Sequence, residues 1–163
     1  MFEVGDLVFF GQGGVCRVLA LSTSEFEQDK GRLYYVLKPV FSVSTETVYL
    51  PTDSKVRLRS VMKREEAEGV LQAAATLSVK VFASKNVTLL KSHYKELLAS
   101  GSVQDCLLLL KEVDLKRRQG KKLGQVDEQY ASKIENLLGE ELAVALELPL
   151  DEAKEALRKA IAL

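Results

Sequence analysis

Up to about Val61, apolar and polar positions alternate in short runs: Leu7 to Phe10, Val15 to Leu21, Leu33 to Lys38, Thr47 to Leu50 and Val56 to Arg59. β-Branched and aromatic residues dominate these runs and turn residues divide them, the pattern of strands with one face on a core. Five such runs before residue 62 predict a small, half-open antiparallel β-barrel. Gly11, Gly13 and Gly14 offer positive-φ freedom to the first turn. Pro39 and Pro51, which have no N–H to give a ladder, are expected to close strands. Ser22 to Gly31, rich in Ser, Glu, Gln and Asp, reads as the longer loop of a hairpin.

After Met62 the period changes from two to about 3.6. Helices are predicted over Arg64 to Thr76, Thr88 to Ala99, Val103 to Gln119, Val126 to Leu146 and Asp151 to Ala162. In the first, Ala67, Val70, Leu71 and Ala74 share a face. In the fourth, Val126, Tyr130, Ile134, Leu137, Leu138, Leu142, Ala145 and Leu146 recur at three- and four-residue steps, a stripe that must face other helices. Ser100-Gly101-Ser102 breaks a helix and offers Ser102 as an N-cap, Gly120 suits a helix C-terminus, and Pro149 separates the last two helices. The expected fold class is therefore α+β with two domains: a β-barrel over residues 1–61 and an all-α helical bundle over 62–163. No internal repeat or low-complexity tract interrupts them.

Length and composition agree with two small soluble domains: 163 residues, 47% of them hydrophobic, can bury a core. No apolar run approaches the roughly 18 residues that a membrane-crossing helix needs, and the N-terminus lacks a secretory pattern, so a cytoplasmic location without membrane contact is expected. Cys16 and Cys106 fall in different predicted domains without metal-type spacing, and both read as small buried apolar residues. The formal net charge of zero hides a polarity. Residues 80–122 carry ten Lys or Arg against four Asp or Glu, whereas residues 123–163 carry four against nine. Such asymmetry points to a surface for a polyanion, against the plainer alternative of solvated helix faces.

Catalytic chemistry has little to build on. His93 is the only histidine. It lies beside the apolar face of Leu90, Tyr94, Leu97 and Leu98, where a lone histidine is ordinarily packed, and no nucleophile–base pair can be assembled around it. Gly11-Gln12-Gly13-Gly14 lacks the Lys-Ser/Thr and following helix of a phosphate loop and reads as a hairpin turn. No enzyme activity, cofactor, metal or small-molecule substrate is expected. The sharpest charge feature is Lys116-Arg117-Arg118-Gln119-Gly120-Lys121-Lys122. The helix macrodipole stabilises cations in a last turn by about 0.3–1 kcal/mol, which accounts for the first three but not for Lys121 and Lys122 beyond Gly120. With Lys80, Lys85, Lys91 and Lys95 they are candidates for a patch that tracks DNA phosphates, giving sequence-independent, salt-sensitive binding.

Three stretches carry a resemblance. The segment Phe2-Glu3-Val4-Gly5-Asp6-Leu7-Val8-Phe9-Phe10-Gly11-Gln12-Gly13-Gly14-Val15-Cys16-Arg17-Val18 resembles the opening of the CarD/CdnL family of bacterial transcription regulators. That family's N-terminal Tudor-like domain binds RNA polymerase and also occurs in transcription-repair coupling factor. Arg32-Leu33-Tyr34-Tyr35-Val36-Leu37-Lys38-Pro39 with Thr47-Val48-Tyr49-Leu50-Pro51-Thr52-Asp53 is similar to its second pair of strands. Lys121-Lys122-Leu123-Gly124-Gln125-Val126-Asp127-Glu128-Gln129-Tyr130 is similar to its helical domain.

The resemblance implies a Tudor/SH3-like barrel that binds a lobe of the polymerase β subunit, partly by strand addition, with Val48, Tyr49 and Leu50 as the pairing strand and Tyr49 its anchor. It also implies a helical domain over promoter DNA at the upstream edge of the bubble, modulating open-complex stability. Lys85, Asn86, Val87, Lys91, Lys116, Arg117, Arg118, Lys121 and Lys122 are its candidate contacts. Many family members insert the Trp of an Asn-Trp pair into the minor groove. This chain has no Trp, and Asn86-Val87 stands at that place with Leu89 and Leu90 after it. A small Val would unstack less surface than an indole. The alternative is a protein–protein adaptor whose helices take a protein partner and no DNA.

Overall fold

The computed structural model describes residues 1–11, 13–23, 31–43, 46–54, 58–99, 102–120 and 122–163. Most of the expected loop Ser22 to Gly31, the start of the strand expected from Val56, Ser100-Gly101 and Lys121 lie outside the described residues. The chain divides into two compact units, Met1–Val61 and Met62–Leu163.

The first unit is one antiparallel sheet of β1 (Leu7–Phe10), β2 (Gly14–Thr23), β3 (Leu33–Pro39), β4 (Val48–Pro51) and β5 (Leu58–Ser60), in the order β4-β3-β2-β1-β5. Among the described residues the sheet is open, with β4 and β5 at its edges. Alternation decides its core face: Val8, Cys16, Val18, Tyr35, Leu37 and Leu50 are buried together, with Phe2, Phe10, Val48 and Leu58 packed against them. A register shift between Val18 and Ala20 bends the long β2 across β3. As expected, Pro39 and Pro51 end β3 and β4.

In the β1–β2 turn the three glycines do not share one role. Gly14 has positive φ, 72°, a conformation that costs an L side chain. Gly13 is needed for room, because a Cβ there would stand 2.7 Å from Phe10 Cδ1.

The second unit contains α1 (Arg64–Thr76), α2 (Val87–Leu98), α3 (Val103–Arg118), α4 (Gln125–Leu146) and α5 (Leu150–Ala162). Ser102 caps α3 as expected, and Asn86 does the same for α2. Ser102 Oγ accepts from the Asp105 N–H at 3.1 Å, and Asn86 Oδ1 accepts from the N–H groups of Thr88 (3.0 Å) and Leu89 (3.3 Å). Val126, Ile134, Leu138 and Leu142 of the α4 stripe are buried.

Around α3 the pattern fails, because other helices surround it and bury Lys111, Glu112 and Lys116 along with its leucines. Each buried charge is satisfied from another element. Lys111 Nζ donates to the carbonyls of Ile161 (2.9 Å) and Ala74 (3.3 Å), in the last turns of α5 and α1, where the helix dipoles favour a cation. The fully buried Glu141 of α4 accepts the Met62 N–H at 2.9 Å and fixes the chain as it enters α1. No helix among the described residues is long and apolar enough to cross a membrane. Cys16 is buried, but Cys106 is only half-buried, its position on α3 leaving part of it open.

Candidate functional site

Two surfaces gather the residues that the sequence singled out. The first is the β4 edge. β4 pairs with β3 alone, through Leu37↔Val48, Val36↔Tyr49, Tyr35↔Leu50 and Tyr34↔Pro51, so among the described residues its other side is open to a further strand. Leu50 is buried and Val48 half-buried in the sheet's core, whereas Tyr49 is 63% exposed on the opposite face. An added strand would therefore meet the backbone of all three residues but the side chain of Tyr49 alone.

The second surface is a groove of about 500 Å³ in the helical unit, between the approach to α2 and the start of α4. Lys85, Val87 and Lys91 line one bank, Lys122, Gly124 and Gln125 the other, and Lys116, Val126 and Asp127 form part of the floor. Lys85, Lys91 and Lys122 are exposed, as are the apolar Val87 and Leu89 in the first turn of α2. That turn contains no acidic residue, so the helix dipole adds to the positive character of the bank. Among the lining residues the only carboxylate is Asp127.

Asp127 is neutralised from below. Its Oδ1 accepts from Lys116 Nζ at 2.9 Å and from the Tyr94 hydroxyl, and Lys116 Nζ also donates to Tyr94 Oη at 3.0 Å. Its Oδ2 accepts the Gly124 N–H at 3.3 Å, tying the turn before α4 to the same carboxylate. All three side chains are buried and come from α2, α3 and α4. Burial pushes the Asp127 carboxyl upward, but the hydrogen bonds from Tyr94 and Lys116, the Lys116 charge and the Gly124 N–H together hold it below the usual carboxylate range. The Tyr94 phenol is driven far above its ordinary value, first by burial and then by its bond to Asp127 and the charges of Asp127 and Glu112.

One turn earlier on α3, the buried Glu112 takes the Phe82 N–H at 2.7 Å through Oε1. Both of its oxygens lie 2.9–3.0 Å from His93 Nε2. Phe82 in turn stacks on the His93 ring with centroids 4.5 Å apart. His93 is thus a packed partner of a buried carboxylate.

The basic run is divided by the fold. Lys116 departs from the expectation of a phosphate contact: it is 4% exposed and its ammonium is held by Asp127 and Tyr94. Arg117 leaves the groove for a separate recess beside Asp114, Glu135 and Arg158. Arg118 pairs with Asp114 at 2.9 Å. Consecutive residues on a helix point about 100° apart, so a run of cations at the end of a surrounded helix cannot share one face. Lys121 lies outside the described residues. Asn86 stands at the groove's edge, its Oδ1 engaged in capping α2. Lys80 and Lys95 are exposed but do not line the groove. Sequence reasoning did not find Tyr94, Glu112 or Asp127. For Asp127 the available signal was its place three residues after Gly124, where a carboxylate can reach back to the N-cap amide.

Residues 2–62 match the family model of the CarD-like/TRCF RID domain, an RNA polymerase-interacting domain. The comparison with curated proteins found no match. The first unit therefore belongs to that domain family, which ties the chain to RNA polymerase and to transcription.

Proposed function

We propose that this chain, whose residues 2–62 are a CarD-like/TRCF RID domain, is a non-catalytic, cytoplasmic transcription regulator that binds the polymerase β subunit and contacts promoter DNA. The first unit adds a strand of the β subunit to the β4 edge, backbone hydrogen bonds giving affinity and Tyr49 serving as the side-chain anchor. The second unit lays its groove against the duplex beside the upstream fork. Lys85, Lys91 and Lys122 contact phosphates, and the exposed Val87 and Leu89 are the apolar groups nearest the base steps.

One observation carries the DNA reading. Three exposed lysines, separated in sequence and sharing no charge run, line one groove whose single carboxylate already has a cation of its own. Phosphate binding is then sequence-independent. With valine in place of an indole, the unit favours the open complex by less than an aromatic wedge would, since an adaptor shifts an equilibrium only by its difference in affinity for the two states. His93 is engaged by Glu112 and Phe82, in keeping with a role without catalysis.

The test is co-purification with RNA polymerase, followed by titration of the complex with forked promoter DNA over a range of salt. The expected result is polymerase binding strengthened by DNA, with a salt slope that falls by about 0.9 for each phosphate contact removed, or about 2.7 in a Lys85→Ala/Lys91→Ala/Lys122→Ala variant. Polymerase binding with no DNA effect would leave a protein-only adaptor, and no polymerase binding would overturn the reading.

A further inference from the structure

Both banks of the groove are tied to the same central helix. Glu112 and Lys116 lie four residues apart on α3, one turn; Glu112 reaches the α2 bank and Lys116 reaches both. Glu112 holds the Phe82 N–H, three residues before Lys85, and the His93 ring that Phe82 covers. Lys116 holds Asp127, whose second oxygen grips the Gly124 N–H two residues beyond Lys122. Tyr94, one turn after Lys91 on α2, closes the network by bonding both Lys116 and Asp127.

Stability alone does not account for such an arrangement. A buried ion pair is often replaceable by apolar residues of similar volume at no cost, because the desolvation of two charges offsets their attraction. What apolar packing does not supply is direction. Hydrogen bonds fix distance and angle between elements, whereas packed methyl groups tolerate sliding and repacking. We infer that Glu112 and Lys116, with Asp127 and Tyr94, are positioning residues that set the spacing of Lys85 and Lys91 against Lys122 across the groove. Their consequence for DNA rests on the function proposed above; their effect on spacing does not.

The distance between the banks can be read directly in the full chain. Nitroxide labels at Lys85→Cys and Lys122→Cys, in a Cys16→Val/Cys106→Ala background, report the separation by double electron–electron resonance. The expected result is a single narrow distribution that broadens or shifts when Lys116→Met/Asp127→Asn is added, and again with Glu112→Leu. The control is Lys111→Met, which removes a buried cation bonded to Ala74 and Ile161 instead of to either bank. An unchanged distribution in folded Lys116→Met/Asp127→Asn protein would overturn the inference, and so would equal broadening in Lys111→Met, since that would be general loosening. A salt titration on forked DNA, with unlabelled protein, separates this inference from the functional reading. If wild-type protein ignores DNA, the DNA reading fails while the distance measurement still decides the positioning. If it binds, the salt slope of Lys116→Met/Asp127→Asn is expected to fall by about 0.9, the loss of one phosphate contact, although Lys116 touches none.

Discussion

Replacing Asp127 by Asn should be far more damaging than replacing Asp127 and Lys116 together. In the native protein one carboxylate oxygen accepts from both Lys116 Nζ at 2.9 Å and the Tyr94 hydroxyl, and the lysine is 4% exposed. Asp127→Asn keeps the shape and an oxygen for the Gly124 amide but strands the Lys116 ammonium without a counter-charge. An uncompensated buried charge costs about 3–5 kcal/mol. The groove gives water a route to this pair, which places the expected cost at the lower end, about 3 kcal/mol. At roughly 4 °C per kcal/mol for a unit of this size, the helical unit's melting temperature should drop by about 12 °C. Lys116→Met/Asp127→Asn removes the stranded charge and should lie within about 1 kcal/mol of wild type, leaving a coupling energy of at least about 2 kcal/mol in the double-mutant cycle. Guanidinium titrations followed by far-UV circular dichroism, which the helices dominate, measure all four corners. The reasoning is refuted if Asp127→Asn costs less than about 1 kcal/mol, or if the double variant is as unstable as the single one.

The same carboxylate sets an acid limit. Because its folded pKa lies below the ordinary aspartate value of about 3.9, its contribution is complete above that pH and is lost as pH falls through the folded value. Melting temperature against pH should therefore fall below about pH 4 in wild type and fall less steeply in Asp127→Asn. At the sheet edge, Tyr49→Ala should weaken binding to polymerase by about 2 kcal/mol, roughly thirtyfold, while leaving the melting temperature unchanged, because the side chain is 63% exposed. Surface plasmon resonance against the isolated β subunit measures that loss, and undiminished binding would remove Tyr49 as the anchor. In the β1–β2 turn, Gly14→Ala should destabilise the first unit by about 1–2 kcal/mol, since φ at this position is 72°. Thermal melts that resolve the two units would detect it.

Local signals made the elements legible. Strands β1 to β4 and all five helices follow from alternation, 3.6-residue stripes, Ser102 as a cap, and Pro39, Pro51 and Pro149 as breaks, because such preferences act between near neighbours in the chain. The outward side of Tyr49 was readable from the same alternation, but not the openness of β4, which depends on the order of strands in the sheet.

The fate of the charges belonged to the tertiary structure. In sequence, Lys116, Arg117 and Arg118 form one basic run; in the fold the first is buried, the second faces a recess beside α5 and the third pairs with Asp114. Lys111 is likewise invisible as a buried residue, since the carbonyls that receive it belong to Ala74 and Ile161, 37 and 50 positions away. The groove's lysines come from either side of α3, and nothing in their spacing joins them. A helix can bury a cation only where a distant element supplies an acceptor, so its neighbours in space, and not those in sequence, decide which charges remain free for a phosphate.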